Sequence, residues 1–278
     1  MKKTFFLFFL TSVSSLFAQK EITLEDIWYK GTFNARSVPG FAVMNDGESY
    51  IQLDLDKETN IMQMNRYSIK DGKKAETIVQ GDQISSVDGE IFDISNFTFS
   101  DDEKMLLFET DINYIYRHSY SSSFYVYNRE TKNLVKGRNN VRYATFSPNG
   151  KSVAYVWDNN LFVLNIETGV EKQITFDGET NRIINGAVDW VYEEEFSMAQ
   201  GYRWDPSGKY IAYYRFDEEP VKRFSMDIYN GLYPKQEVWR YPKAGEANSI
   251  VKVKIADIEA GTSVECFTGP NNDIYLPR

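Results

Sequence analysis

One turn signature returns along this chain at a period that few folds can use. The run Phe97-Thr98-Phe99-Ser100-Asp101-Asp102-Glu103-Lys104 reappears as Tyr143-Ala144-Thr145-Phe146-Ser147-Pro148-Asn149-Gly150-Lys151, and again as Tyr202-Arg203-Trp204-Asp205-Pro206-Ser207-Gly208-Lys209. A short apolar run follows each copy: Met105 to Phe108, Ser152 to Val156, and Tyr210 to Tyr214. A degenerate first copy reads Val43-Met44-Asn45-Asp46-Gly47-Glu48 and leads into Ser49 to Leu53. In such a turn Pro sets φ and Gly takes the left-handed position, after which the chain re-enters as a strand. Measured from the residue after the turn, Glu48 to Lys104 is 56 positions, Lys104 to Lys151 is 47 and Lys151 to Lys209 is 58. Four-stranded propeller blades recur every ~40 to 50 residues, so these units read as blades with insertions. A β-sandwich also uses short strands, but nothing in it requires one turn to repeat at this period.

The expected fold is therefore all-β, a partial β-propeller of about four to five blades. Nineteen Tyr and nineteen Phe suit the half-buried surfaces of strands. An outer hairpin recurs after two of the turns, where Tyr125-Val126-Tyr127-Asn128 and Phe162-Val163-Leu164-Asn165 each run into an Asn-x-x-Thr turn. The segment Cys266 to Arg278 ends where a further strand is expected, which reads as an interrupted blade.

The N-terminus follows different rules. Lys2 and Lys3 precede the apolar run Phe5 to Leu10, then small polar residues, then Ala18 before Gln19. That pattern is a secretory signal peptide over residues 1–18, too short at its centre to span a bilayer. The expected mature region, 19–278, is exported to a periplasm or the medium. Loss of two lysines moves its net charge from −9 to −11. Acidity without a Lys/Arg-rich run argues against nucleic acid as a partner. One Cys forms no internal disulfide and no Cys-rich zinc module, and no metal or cofactor is expected.

One segment breaks the strand rhythm: Asp189-Trp190-Val191-Tyr192-Glu193-Glu194-Glu195-Phe196. A run of glutamates is most often a solvated face. Here aromatics flank it, and on a short helix side chains step by about 100°, so two neighbouring carboxylates can lean toward one cation while the third turns away.

This segment resembles the D-W-V-Y-E-E-E motif of the dipeptidyl peptidase IV family, in the prolyl oligopeptidase clan. Tyr116-Arg117-His118-Ser119-Tyr120 is similar to that family's R-H-S-Y segment, and Tyr241-Pro242-Lys243-Ala244-Gly245-Glu246-Ala247-Asn248 to its Y-P-K-A-G-x-x-N segment. The resemblance implies an exopeptidase that releases a dipeptide from a free N-terminus, with Pro or Ala second. It implies that Glu194 and Glu195 hold the substrate's α-ammonium, and that Arg117 orients them and contacts a backbone carbonyl. It also implies a homodimer built with an arm that matches the excursion Tyr214 to Tyr241, whose Phe224, Tyr229, Tyr233 and Trp239 are expected to be exposed.

The chain contains no G-x-S-x-G nucleophile elbow. His118, the single histidine, is accordingly read as structural, and the resemblance puts the catalytic Ser, Asp and His in an α/β-hydrolase domain beyond Arg278. The chain alone is expected to be inactive. The competing reading is a non-catalytic periplasmic propeller that binds peptides or a protein.

Overall fold

The computed structural model describes residues 21–35, 40–80 and 94–277. The expected leader, residues 1–18, lies outside the described residues. The chain divides into two compact units, Met1–Gly40 and Phe41–Arg278. In the first, helix α1 (Leu24–Trp28) starts at Thr23, whose hydroxyl accepts from the Asp26 amide while the Asp26 carboxylate accepts from the Thr23 amide. These reciprocal bonds satisfy two amide donors that a helix start leaves without partners.

The second unit is a succession of antiparallel four-stranded blades. Strands β1 (Phe41–Val43), β2 (Ser49–Leu55), β3 (Met62–Ser68) and β4 (Lys74–Gln80) pair in chain order. So do β5 (Asn96–Phe99), β6 (Met105–Tyr114), β7 (Tyr120–Asn128) and β8 (Leu134–Lys136). The third blade comprises β9 (Arg142–Phe146), β10 (Ser152–Trp157), β11 (Asn160–Asn165) and β12 (Glu171–Gln173). In the fourth, the innermost strand is split. Both β13 (Ile183–Asn185) and β14 (Tyr202–Trp204) pair with β15 (Tyr210–Asp217), which continues to β18 (Ile250–Asp257) and β19 (Thr262–Glu265). Four blades among the described residues agree with the repeat spacing.

All four copies of the turn signature join the first two strands of a blade. The amides of Gly47, Glu103, Gly150 and Gly208 each donate to the carbonyl three residues earlier, and all four residues are left-handed at φ 67, 57, 67 and 71°. Glu103 therefore accepts a backbone conformation that favours Gly. Its carboxylate offsets part of that cost by accepting from the Asn45 amide at 2.6 Å, which ties the second blade's turn to the first's. In the last copy the Asp205 carboxyl is held down at about 2, first by the Ser207 hydroxyl and then by main-chain amides.

Side-chain alternation then stacks the blades. On β6, Leu106 and Phe108 pack toward the first blade with Ile51 and Met64, whereas Leu107 packs toward the third with Val153 and Tyr155. On β10 the neighbours Ala154 and Val156 face the fourth blade, with Ile211 and Phe216. Successive residues of a strand point to opposite faces, so a central strand buried on both sides reads as a continuous apolar run.

Two insertions leave the fourth blade. Residues 186–201 separate β13 from β14 and carry helix α2 (Trp190–Phe196). Gly201 closes that loop: a Cβ there would lie 2.7 Å from the Ala187 carbonyl oxygen. Between β15 and β18 the chain runs out as a two-stranded arm, β16 (Arg223–Ile228) and β17 (Lys235–Arg240).

Candidate functional site

Helix α2 owes its position to its first residue. Asp189 has extended backbone, and its Oδ1 accepts from the Tyr192 amide at 3.0 Å while its Oδ2 accepts from the Ser249 hydroxyl at 2.6 Å. This caps the helix and fastens it to the start of β18. Burial pushes the Asp189 carboxyl up, against those hydrogen bonds. Tyr192 drives the helix into the blade, with ring centroids 4.8 Å from Phe216 and 5.1 Å from Phe196, and its hydroxyl accepts from the Leu276 amide. Ser197, left-handed at φ 54°, ends the helix.

With the helix held by Val191 and Tyr192, the 100° step assigns each glutamate a different environment. Glu193 is 2% exposed, and its Oε1 accepts from the amides of both His118 and Ser119 at 2.8 Å. The Glu194 side chain is 18% exposed and forms an ion pair with Arg117, Oε2 to Nε 3.2 Å. Glu195 is exposed and has no ion pair among the described residues. It borders a groove of about 500 Å3 with Trp190, Phe196, Lys243 and Tyr275.

Arg117 sits at the tip of the β6–β7 hairpin. The tip is closed on itself, because the Ser119 carbonyl accepts from the amides of Ile115 and Tyr116. The long β6 carries this tip past the third blade to α2 in the fourth. The Arg117 side chain is 73% exposed, and its terminal guanidinium nitrogens make no hydrogen bond among the described residues. An ion pair with so exposed a partner contributes about 0 to 1 kcal/mol. A hydrogen bond to a charged acceptor contributes about 1.5 to 3 kcal/mol, so the Glu193 contacts dominate the junction.

The helix therefore presents, beside the Arg117 guanidinium, one carboxylate paired with it and a neighbouring exposed carboxylate that has no ion pair among the described residues. Of the two glutamates singled out in the sequence, Glu194 pairs with Arg117, whereas Glu195 makes no ion pair with it. The role of Glu193 was not legible: the only hint was its place beside Tyr192 at the edge of the buried face. His118 is exposed, and its ring has no hydrogen-bond partner among the described residues; only its amide is engaged.

The arm meets the helix through aromatics. Trp190 lies 4.5 Å from Tyr241, which lies 5.6 Å from Phe224. Tyr229 and Tyr233 are exposed as expected at the arm's tip, and Leu232 between them is exposed as well. Phe224 and Trp239 are not; they pair across the arm's base, half-buried. They line a cavity of about 700 Å3 with Tyr116, Trp190 and Tyr241. The expectation of exposure failed there because the base of the hairpin packs on α2. Burial pushes the Tyr116 hydroxyl up to about 12, with the nearby Glu218 and Glu193 charges adding to it.

Residues 100–278 match the family model described as the dipeptidyl peptidase IV (DPP IV) N-terminal region. The chain is 32% identical over 257 residues to prolyl endopeptidase FAP of Homo sapiens, covering 90% of this chain and 31% of that protein. It is 35% identical over 173 residues to dipeptidyl peptidase 4 of Sus scrofa, 60% of this chain and 23% of the relative. The crystal structure of Porphyromonas gingivalis dipeptidyl peptidase 4 superimposes with a TM-score of 0.83 at 33% identity, over 94% of this chain and 37% of that one. The chain thus spans about a third of the length of these relatives or less. With the propeller blades, the glutamate helix and the matched region in agreement, this chain belongs to the dipeptidyl peptidase IV family.

Proposed function

We propose that this chain is the substrate-gating and amine-recognition part of an exported serine dipeptidyl peptidase that releases X-Pro and X-Ala dipeptides from free N-termini. The carrying observation is the Arg117–Glu194 ion pair at 3.2 Å, on a helix whose next residue, Glu195, is exposed and without an ion pair among the described residues. An incoming α-ammonium supplies a second cation beside two adjacent carboxylates, of which only Glu194 is paired with the guanidinium. Arg117 has donors left for the carbonyl of the same residue. Binding the amine at a fixed place puts only the second peptide bond within reach of a nucleophile, which we assign to the part of the relatives that this chain does not match. The propeller then selects which chain ends reach that nucleophile.

The test compares an Ala-Pro anilide with its N-acetylated form as substrates of the whole protein. The free amine is expected to be cleaved and the acetylated form not. Glu194→Ala and Glu195→Ala are each expected to raise KM by at least about thirtyfold, the lower end of the loss when one partner of a desolvated charge pair is removed. An unchanged KM in either variant refutes the assignment. The 278-residue chain by itself is expected to show no turnover. The exposed arm tip, with Tyr229, Leu232 and Tyr233, fits a contact between two copies in the whole protein, and a monomer in sedimentation would refute that.

A further inference from the structure

The first glutamate of the triplet binds no ammonium in the proposed function, yet it is the most buried of the three and accepts two main-chain amides. We infer that Glu193 is the positioning residue for Arg117: it fixes where the guanidinium stands relative to Glu194 and thereby sets the affinity for the substrate's N-terminus. This rests on the amine-recognition reading of Glu194, Glu195 and Arg117.

Three observations carry it. Glu193 is buried, 2% exposed, which removes it from direct contact with a ligand. A single oxygen of its carboxylate accepts the consecutive amides of His118 and Ser119 at 2.8 Å, the two residues that follow Arg117. Among the described residues the tip bearing Arg117 makes no other main-chain hydrogen bond to another blade: its remaining bonds close the tip upon itself, and the Arg117 side chain is 73% exposed. An exposed arginine on a free tip samples many rotamers and loop positions, so most of its encounters with Glu194 would be transient. Two bonds to one buried charged acceptor lock the backbone on which that arginine is mounted. The lock joins the second blade to the fourth, and the partners are 74 and 75 positions apart in sequence. Glu194 is adjacent to Glu193 on the same helix, so anchoring the tip to one glutamate sets the distance to the next.

The test uses Glu193→Gln, Glu193→Asp and Glu193→Ala in the whole protein, with an Ala-Pro anilide as substrate and hydrogen exchange of the His118 and Ser119 amides. Gln keeps an acceptor oxygen at the same reach, and Asp keeps the charge but withdraws it by one methylene. The expected result is KM within about threefold of wild type for Gln, and raised on the order of tenfold for Asp and Ala, with kcat nearly constant, because lost uniform binding appears in KM. Exchange at His118 and Ser119 is expected to accelerate at least about tenfold in Asp and Ala and to stay slow in Gln. A role confined to stability would lower the melting temperature and leave KM unchanged, and that outcome overturns the inference. Equal rises in KM for Gln and Ala overturn it too, since charge rather than tethering would then be responsible. Failure of the underlying reading looks different: wild type would cleave the N-acetylated substrate as fast as the free one, and the inference would fall with it.

Discussion

Replacing Glu218 by Gln is expected to stabilise the chain at alkaline pH and to do almost nothing at acid pH. Glu218 follows β15 in the turn that leads to the arm, where its amide donates to the Arg182 carbonyl and its carbonyl accepts from the Val221 amide. The residue is 7% exposed, and its carboxylate has no hydrogen bond among the described residues. Burial is the main cause that pushes this carboxyl from 4.5 up to about 7; Asp189 adds to the rise, as does Asp217 weakly, while Arg240 and Arg142 oppose it. The folded chain thus binds this proton more tightly than the unfolded chain. The stabilisation from protonation is fully present below about pH 4.5 and is lost as pH climbs through about 7. Each pH unit between the two values corresponds to about 1.4 kcal/mol, so above neutrality the buried carboxylate costs about 3 kcal/mol. Glu218→Gln removes the charge and keeps the shape. Urea titrations followed by tryptophan fluorescence should show the two proteins within about 1 kcal/mol at pH 4 and the variant ahead by up to about 3 kcal/mol at pH 8. Equal stability at pH 8, or a less stable variant, refutes the reasoning. It would mean that Arg240 and Arg142 more than compensate for burial.

Two further outcomes follow from packing and capping. Phe108, fully buried between the first two blades and stacked on Tyr125 at 5.5 Å, should cost about 3 to 5 kcal/mol when truncated to Ala, read by urea denaturation. Asp189→Ala removes the acceptor for the Tyr192 amide and the Ser249 hydroxyl and should cost about 1 to 2 kcal/mol. Asp189→Asn, which still caps, should stay within about 1 kcal/mol of wild type in the same titration.

The blade repeat was legible because its cause is local. A left-handed residue three positions into a tight turn demands Gly, or a residue compensated as Glu103 is, and that demand is written at Gly47, Gly150 and Gly208. The two-sided burial of the start of β6 and of β10 is equally local in origin, since Met105 to Phe108 and Val153 to Trp157 read as unbroken apolar runs. The motifs at Arg117 and Glu193 to Glu195 marked the site's residues, and the chemistry of paired carboxylates indicated a cation.

The rotation of α2 is a different matter. Seven residues span about two turns, too few for periodicity to fix a phase, so which glutamate faces inward depended on Tyr192 meeting Phe216 across the blade. The split of the innermost strand around the helix, and the burial of Phe224 and Trp239 on Trp190 and Tyr241, depend likewise on surfaces brought together by the blade. Local turn chemistry and strand alternation are properties of neighbouring residues, so sequence alone determined the repeated blades and the identity of the candidate site. Only the tertiary structure decided that Glu193 holds the Arg117 hairpin, Glu194 pairs with it and Glu195 stays exposed, because those assignments rest on contacts about 75 residues apart in the chain.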